Sequence, residues 1–287
     1  MLKLVIAGSD AAAPPVGAAD AGVQVWHGHD GRVFSYGYTV DGQYWIQLPS
    51  VASFGFHPDS DQVVAVPEQP SRLAPIHDLY YRVVLPMALQ ALGREALHAS
   101  AVRTPRGVIA LCGESGTGKS TAAYGLSQRG YGLWTDDAVV VEMSHGRVGA
   151  IPLPFKIRLR PASASFFGQQ PTGVVSGVTE FSSDQIHTEP APLALVCLLS
   201  RSSAQSGDAV TATRRLAPSE AFPAVLVHAT CFNLHDVERK RRMAQQYLEL
   251  VVRVPVVEIR FHPAFEALPA LLDQIERVIR IEACGLA

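Results

Sequence analysis

The sequence predicts an α/β protein: a mixed sheet with flanking helices, preceded by a small β-rich unit. Three observations predict it. From about residue 93 to the end, apolar runs of strand length are interspersed with amphipathic stretches of helical spacing. One such run, Gly107 to Cys112, passes through Gly113-Glu114-Ser115-Gly116-Thr117-Gly118-Lys119-Ser120 into a stretch of helical character, the strand–loop–helix order of a phosphate-binding loop. Residues 23 to 66 hold short aromatic and β-branched segments separated by Asp30-Gly31 and Asp41-Gly42, which are hairpin steps.

Residues 8 to 22, rich in Ala, Gly and Pro, read as a loose lead-in. Val23-Gln24-Val25-Trp26, Val33-Phe34-Ser35-Tyr36 and Tyr44-Trp45-Ile46 then form antiparallel strands, with Trp26, Tyr36, Tyr38, Tyr44 and Trp45 packing the sheet. Leu73 to Arg94 has Ile76, Leu79, Tyr80, Val83, Val84 and Met87 at helical spacing, with a kink expected at Pro86 and an end at Gly93. A strand from about Leu97 to Val102 turns at Pro105-Arg106-Gly107 into the strand that feeds the loop. The loop's helix runs to about Arg129, stopped by Gly130. Leu133-Trp134-Thr135 is a short strand ending in Asp136-Asp137, and Ala138 to Met143 is the next, turning at His145-Gly146. Leu193 to Ser200 is a buried strand, Ser219 to Val227 and Asp236 to Val251 are helices, Pro255 to Phe261 is a strand, and Ala267 to Ile281 is a closing amphipathic helix. The intervals 161 to 192 and 201 to 213 read as loops. The chain thus divides into a β-rich unit at 1–72, a connecting helix at 73–96 and an α/β core at 97–287.

Composition narrows the function classes. With 24 basic and 26 acidic residues the net charge is −2, so no basic field recruits nucleic acid or an anionic membrane, and any anion must be held locally. No apolar run approaches the roughly 20 residues of a membrane span, and Met1 to Ala7 is too short for a signal core. Cys112, Cys197, Cys231 and Cys284 are scattered without a Cys-x-x-Cys pair, which reads as buried, reduced thiols in a cytoplasmic protein and not as zinc ligands or disulfides.

The chemistry concentrates in two places. In the loop, Gly113, Gly116 and Gly118 let the backbone wrap closely, so that N–H groups from Gly116 through Ser120 face phosphate oxygens at a helix N-terminus. Ser115 and Thr117 lie within the same cradle, Lys119 reaches the β- and γ-phosphates, and the Ser120 hydroxyl ligates magnesium with Thr121 as the neighbouring fallback. The only lysines are Lys3, Lys119, Lys156 and Lys240, so a lysine in this slot stands out against a chain that otherwise uses arginine. The second place is Asp136-Asp137, which follows an apolar strand sixteen residues beyond Ser120. Phosphoryl transfer needs a carboxylate on the metal and another to take the acceptor's proton. Two adjacent acids can supply both, and their like charges raise one pKa, which suits a base.

Other candidates are weaker. His98 opens the strand that leads by a hairpin into the loop's strand. Lys156, Arg158 and Arg160 alternate with Ile157 and Leu159, so a strand puts the three cations on one face, open to a phosphate or an acidic substrate. Arg239-Lys240-Arg241-Arg242 reads as the solvated side of a helix. No Asn-Lys-x-Asp occurs, which argues against a guanine-specific switch.

Taken in order, His98-Ala-Ser-Ala-Val, Gly107 to Cys112, the loop Gly113 to Ser120, Arg129-Gly130-Tyr131 and Asp136-Asp137 resemble the HPr kinase/phosphorylase superfamily, closely over residues 97 to 142 and loosely elsewhere. The resemblance implies an HPr-kinase-like core and a kinase that moves phosphate from ATP, with magnesium, to a serine hydroxyl of a peptide or small protein. It implies that His98 assists near the reacting phosphate, that Ser120 and one aspartate hold the metal, and that Asp137 or Asp136 is the base, Asp137 being preferred. It also hints at self-association. The first ninety residues do not match the family's long N-terminal module, and no Arg-Pro-Gly-rich loop is found, so phosphorylase activity is not expected. The layout is more similar to the HPr-kinase-like proteins of peptide biosynthesis clusters, some of which, the lasso peptide precursor kinases, phosphorylate a ribosomally made peptide. A kinase of a small hydroxylated metabolite and a nucleotide-binding regulatory module are the alternatives.

Overall fold

Turn chemistry sets the first part of the fold. Asp41 and Gly42 both adopt positive φ, 51° and 74°, the pair that matches the twist of a two-residue hairpin. In the computed structural model, which describes residues 2–28, 30–69, 73–144, 146–168, 174–175, 178–181, 189–202, 209–232 and 235–284, they join two of six strands. These are β1 (Lys3–Ile6), β2 (Gln24–His27), β3 (Val33–Val40), β4 (Gln43–Leu48), β5 (Ala52–Phe56) and β6 (Gln62–Pro67), in the sheet order β1-β6-β5-β4-β3-β2. All neighbours are antiparallel except β1, which runs parallel to β6. β1 is a strand the sequence reading lacks: four residues gain their ladder only from a partner almost sixty positions away. The aromatics do pack the sheet. Tyr38 and Trp45 are buried, and Phe232 takes a place among Trp26, Tyr44 and Phe56 with ring centroids 5.7 to 6.0 Å apart.

The expected long helix is two short ones, α1 (Ala74–Leu79) and α2 (Leu85–Ala91), joined by a π turn over Tyr80–Val84. Pro86 cannot donate an N–H to the preceding turn. The irregularity lies in the turn before it, a place where π bulges absorb such a defect. Met1–Gly93 and Cys231–Met243 make up one compact unit; Arg94–Thr230 and Ala244–Ala287 make up the other.

In the second unit, β7 (Glu95–Leu97) and β8 (Ala99–Thr104) divide the single strand expected from Leu97, with the break at His98. β8 turns tightly into β9 (Gly107–Cys112), whose six residues are all buried. That is why β9 reads as an unbroken apolar run: both its faces are covered. The glycine-rich loop follows, then α3 (Lys119–Ser127), β10 (Gly132–Thr135), β11 (Val139–Ser144) and β12 (Arg147–Ile151). α3 ends as expected at Gly130, with φ 94°. Tyr131 N–H returns to Leu126 and Gly130 N–H to Ser127, the two bonds of a Schellman stop. The turn expected at His145-Gly146 lies in part outside the described residues.

The interval from 161 is not all loop. It holds α4 (Pro161–Phe166), after β13 (Ile157–Leu159), and the short strands β14 (Val174–Val175) and β15 (Val178–Phe181), which pair with each other, β15 pairing also with β13. β16 (Ala191–Arg201) and β17 (Val210–Arg215) precede α5 (Pro218–Leu226) and α6 (Val237–Arg253), then β18 (Val256–Phe261) and α7 (Leu268–Cys284) close the chain. β17 and α4 escaped notice because neither has enough length for a period to show.

The main sheet is mixed, in the order β10-β8-β9-β16-β12-β11-β7, with β18 beside β16 and β17 beyond it. β9, β16 and β18 run parallel. Alternate residues Ile109 and Leu111, Leu195, Cys197 and Leu199, and Val257 and Ile259 face one cluster. Ala122, Ala123 and Leu126 of α3 and Leu268, Leu271, Leu272 and Ile275 of α7 fill it from the helices. Each leucine buried there contributes roughly 1.5–3 kcal/mol. Cys112 and Cys197 are free, buried thiols and Cys231 is partly buried; the Cys284 side chain lies outside the described residues. Among the described residues, no helix is long and apolar enough to cross a membrane.

Candidate active site

Three strand ends and one helix start converge. β9 delivers the loop, α3 begins at Lys119, β8 carries Ser100 and β10 ends at Thr135, just before Asp136. Because β8 lies between β9 and β10, its residues can reach both the loop's helix and the paired acids.

Gly118 caps α3 with φ 111° and ψ 19°, a backbone that a side chain would strain. Thr117 tightens the loop by donating its hydroxyl to Glu114 O over 2.7 Å. Lys119 is 7% exposed, and its ammonium donates to Gly113 O at 2.8 Å and Glu114 O at 3.2 Å. Burial lowers its pKa, opposed by Cys112, Asp136 and Asp137. The Cys112 thiol, pushed up to about 12 by burial, stays protonated at neutral pH.

Asp136 is the hub. Its Oδ1 accepts from Ser100 Oγ at 2.6 Å and from Ser120 Oγ at 2.9 Å, and its Oδ2 accepts the Arg158 backbone N–H at 3.1 Å. The two serine hydroxyls are 3.5 Å apart. Burial, and then the neighbouring Asp137, raise the Asp136 pKa from 3.8 to about 6, against the three hydrogen bonds that hold it down. The raised acid expected of the pair is therefore Asp136.

Asp137 is half-buried and holds a left-handed backbone, φ 69°. Aspartate tolerates that region better than most residues. Its carbonyl lies 3.0 Å from His98 Nδ1. A carbonyl only accepts, so Nδ1 carries the proton of that bond. His98 is thus joined to the acid pair through the backbone.

The remaining candidates divide. Thr121 Oγ1 pairs with Ser163 Oγ of α4 at 3.0 Å and so is turned toward α4. Ser115 is exposed on the loop. Ile157 and Leu159 are buried while Lys156 and Arg160 are exposed and Arg158 is intermediate, the alternation expected of a cationic face. Within it, Arg158 reaches the acids through its main chain, and the Arg160 guanidinium lies against Gly116 of the loop.

Three residues of this constellation escaped the sequence reading. Ser100 stands two positions from His98, on β8, but a serine carries no signal until the fold supplies Asp136. Arg201, the last residue of β16, donates from Nη2 to Gly116 O. His228 follows α5; its carbonyl accepts the His98 N–H at 2.7 Å. Burial lowers the His228 pKa, and nearby Lys119 and His98 lower it further against Glu114.

Among the described residues, no group of three or more His, Cys, Asp or Glu side chains is placed to hold a metal. A cation here would draw on hydroxyl and carboxylate oxygens together. Ser120 and Asp136 offer such a set, suited to a hard ion such as magnesium, and the burial that chiefly raises the Asp136 pKa, with Asp137 next, disfavours a charged form that a cation would stabilise. For an anion, the same site offers Lys119 and the start of α3.

No family model matches the chain, and no curated protein matches it. Among solved structures, the Hpr(Ser) kinase/phosphatase from Coxiella burnetii matches over 66% of this chain and 97% of its own length, at 13% sequence identity and a TM-score of 0.36. A likeness of that degree carries no chemistry to this chain.

Proposed function

We propose that this chain is a kinase dependent on ATP and magnesium, transferring a phosphoryl group to the serine hydroxyl of a peptide or small protein. The observation that carries the reading is the hydroxyl–carboxylate pair Ser120–Asp136 at the start of α3, with a second carboxylate, Asp137, directly beside it. A nucleotide-binding loop needs only the first pair; a transferase to a hydroxyl also needs a proton acceptor.

The geometry favours one division of labour. Asp136 is enclosed, with all three of its hydrogen bonds to this chain, so it suits the metal side with Ser120. Asp137 is more open, and its backbone is tied to His98, so it suits the base, taking the proton as the acceptor oxygen attacks. Lys119 would leave the carbonyls of Gly113 and Glu114 for phosphate oxygens, with its charge intact. Magnesium held at Ser120 and Asp136 would neutralise charge on the β- and γ-phosphates. The layout resemblance narrows the proposed acceptor to a ribosomally made precursor, such as that of a lasso peptide.

The test is to incubate the protein with ATP, magnesium and the short peptides encoded beside its gene, and to look by mass spectrometry for added phosphate. Asp137→Asn should abolish transfer while calorimetry still finds ATP binding. Undiminished transfer by that variant removes Asp137 as base. Release of free phosphate alone, with every peptide unmodified, would favour a nucleotide-hydrolysing regulatory module instead.

A further inference from the structure

Two guanidinium groups converge on Gly116 from separate elements. Arg201 ends β16 and donates to the Gly116 carbonyl. Arg160 joins β13 to α4 as the residue before Pro161. A Cβ built on Gly116 would lie 3.2 Å from its Nη2, 3.5 Å from Nη1 and 3.7 Å from Cζ, so the guanidinium covers this α-carbon. Both arginines are exposed. Among the described residues neither forms an ion pair with a carboxylate. Two cations at one loop residue, neither in an ion pair among the described residues, are an arrangement that an anion would stabilise.

The loop already has its own cation. Lys119 begins α3 behind Gly118, where the helix N-terminus takes the inner phosphates, and its ammonium folds back onto Gly113 O and Glu114 O at the loop's start. Arg160 stands farther along the loop, at Gly116. A planar guanidinium there presents paired N–H donors to a phosphate's oxygens.

We infer that Arg160 reads the terminal phosphate of a bound nucleoside triphosphate, while Arg201 is a positioning residue that fixes the loop beneath it. The inference rests on the nucleotide reading proposed above and extends it: Arg160 becomes the residue by which the site tells a triphosphate from a diphosphate. An arginine at the transferred phosphate also stabilises the charge that develops there during transfer. Gly116 suits the same arrangement, since its φ of 80° strains any side chain and a Cβ there would displace the guanidinium by a few tenths of an ångström.

Calorimetric titration of the full chain with magnesium–ATP and with magnesium–ADP tests this. Arg160→Ala should weaken ATP about tenfold or more and ADP less than about threefold; Arg160→Lys should recover part of the loss. Arg201→Ala should weaken both nucleotides alike. An unchanged ATP-to-ADP preference in Arg160→Ala, with the wild type binding ATP and transferring phosphate, overturns the inference and leaves the kinase reading standing. A wild type that binds neither nucleotide overturns both.

Discussion

Replacing Asp136 with asparagine tests whether the site's carboxylate is held against its own charge. Burial and Asp137 raise its pKa from 3.8 to about 6, so the folded protein keeps a proton that the unfolded chain has already released. Stability from this group is fully present below about pH 4 and is lost as pH rises through about 6. The gap of slightly more than two pKa units corresponds to about 3 kcal/mol at full ionisation. Between about pH 5 and about pH 8 the share lost is about 1 kcal/mol, or about 2 °C in melting temperature for a chain of this size. Asparagine keeps an oxygen for Ser100 and Ser120 but sets an amide donor against the Arg158 N–H, a fixed cost of about 1–3 kcal/mol. Melting both proteins across that pH range, without metal or nucleotide, reads the effect, since titrations away from Asp136 and its neighbours Asp137 and Lys119 are common to the two. The variant should melt lower at acid pH and lose this part of the wild-type decline toward alkaline pH. Parallel curves would refute the raised pKa of the buried Asp136 in the resting site.

Ser100→Ala removes a donor that holds the Asp136 pKa down, so the acid limb of magnesium-dependent transfer should move to higher pH; an unmoved limb would leave Ser100 without influence on that carboxylate. Gly118→Ala meets open space, yet the φ of 111° strains any side chain, and denaturation should show a loss of about 1–2 kcal/mol with weaker nucleotide binding. Leu111→Ala empties the centre of the cluster between sheet and helices and should cost about 2–5 kcal/mol, read by denaturant unfolding, with the ATP affinity of the folded protein retained.

What the sequence makes legible here is what local chemistry decides. Asp41-Gly42, Gly107 and Gly130 each take the positive φ their turns require, and β9 is apolar because both its faces are buried. The loop, Lys119 and the paired acids declare themselves by residue type and order. The rest depends on partners distant in the chain. β1 is a strand only through β6, and the π turn arises from how one helix absorbs Pro86. Arg201 reaches Gly116 because β16 runs parallel to β9 and ends at the same side of the sheet, a pairing across more than eighty residues. Ser100 is visible in the string that opens with His98, but hydroxyl chemistry gains direction only where Asp136 is brought to it.

The left-handed backbone of Asp137 also limits how this protein can change over time. Few residues accept that conformation without strain; glycine and asparagine do so alongside aspartate. Both are single-base neighbours of the aspartate codons. The mutations most readily tolerated by the fold at this position are therefore ones that delete its carboxylate, while Ser120, Asp136 and Lys119 keep their places. On the role proposed for Asp137, a form that would hold ligand without turning it over lies one neutral-looking step away, and a chain that differed from this one only at residue 137 would be indistinguishable by stability alone.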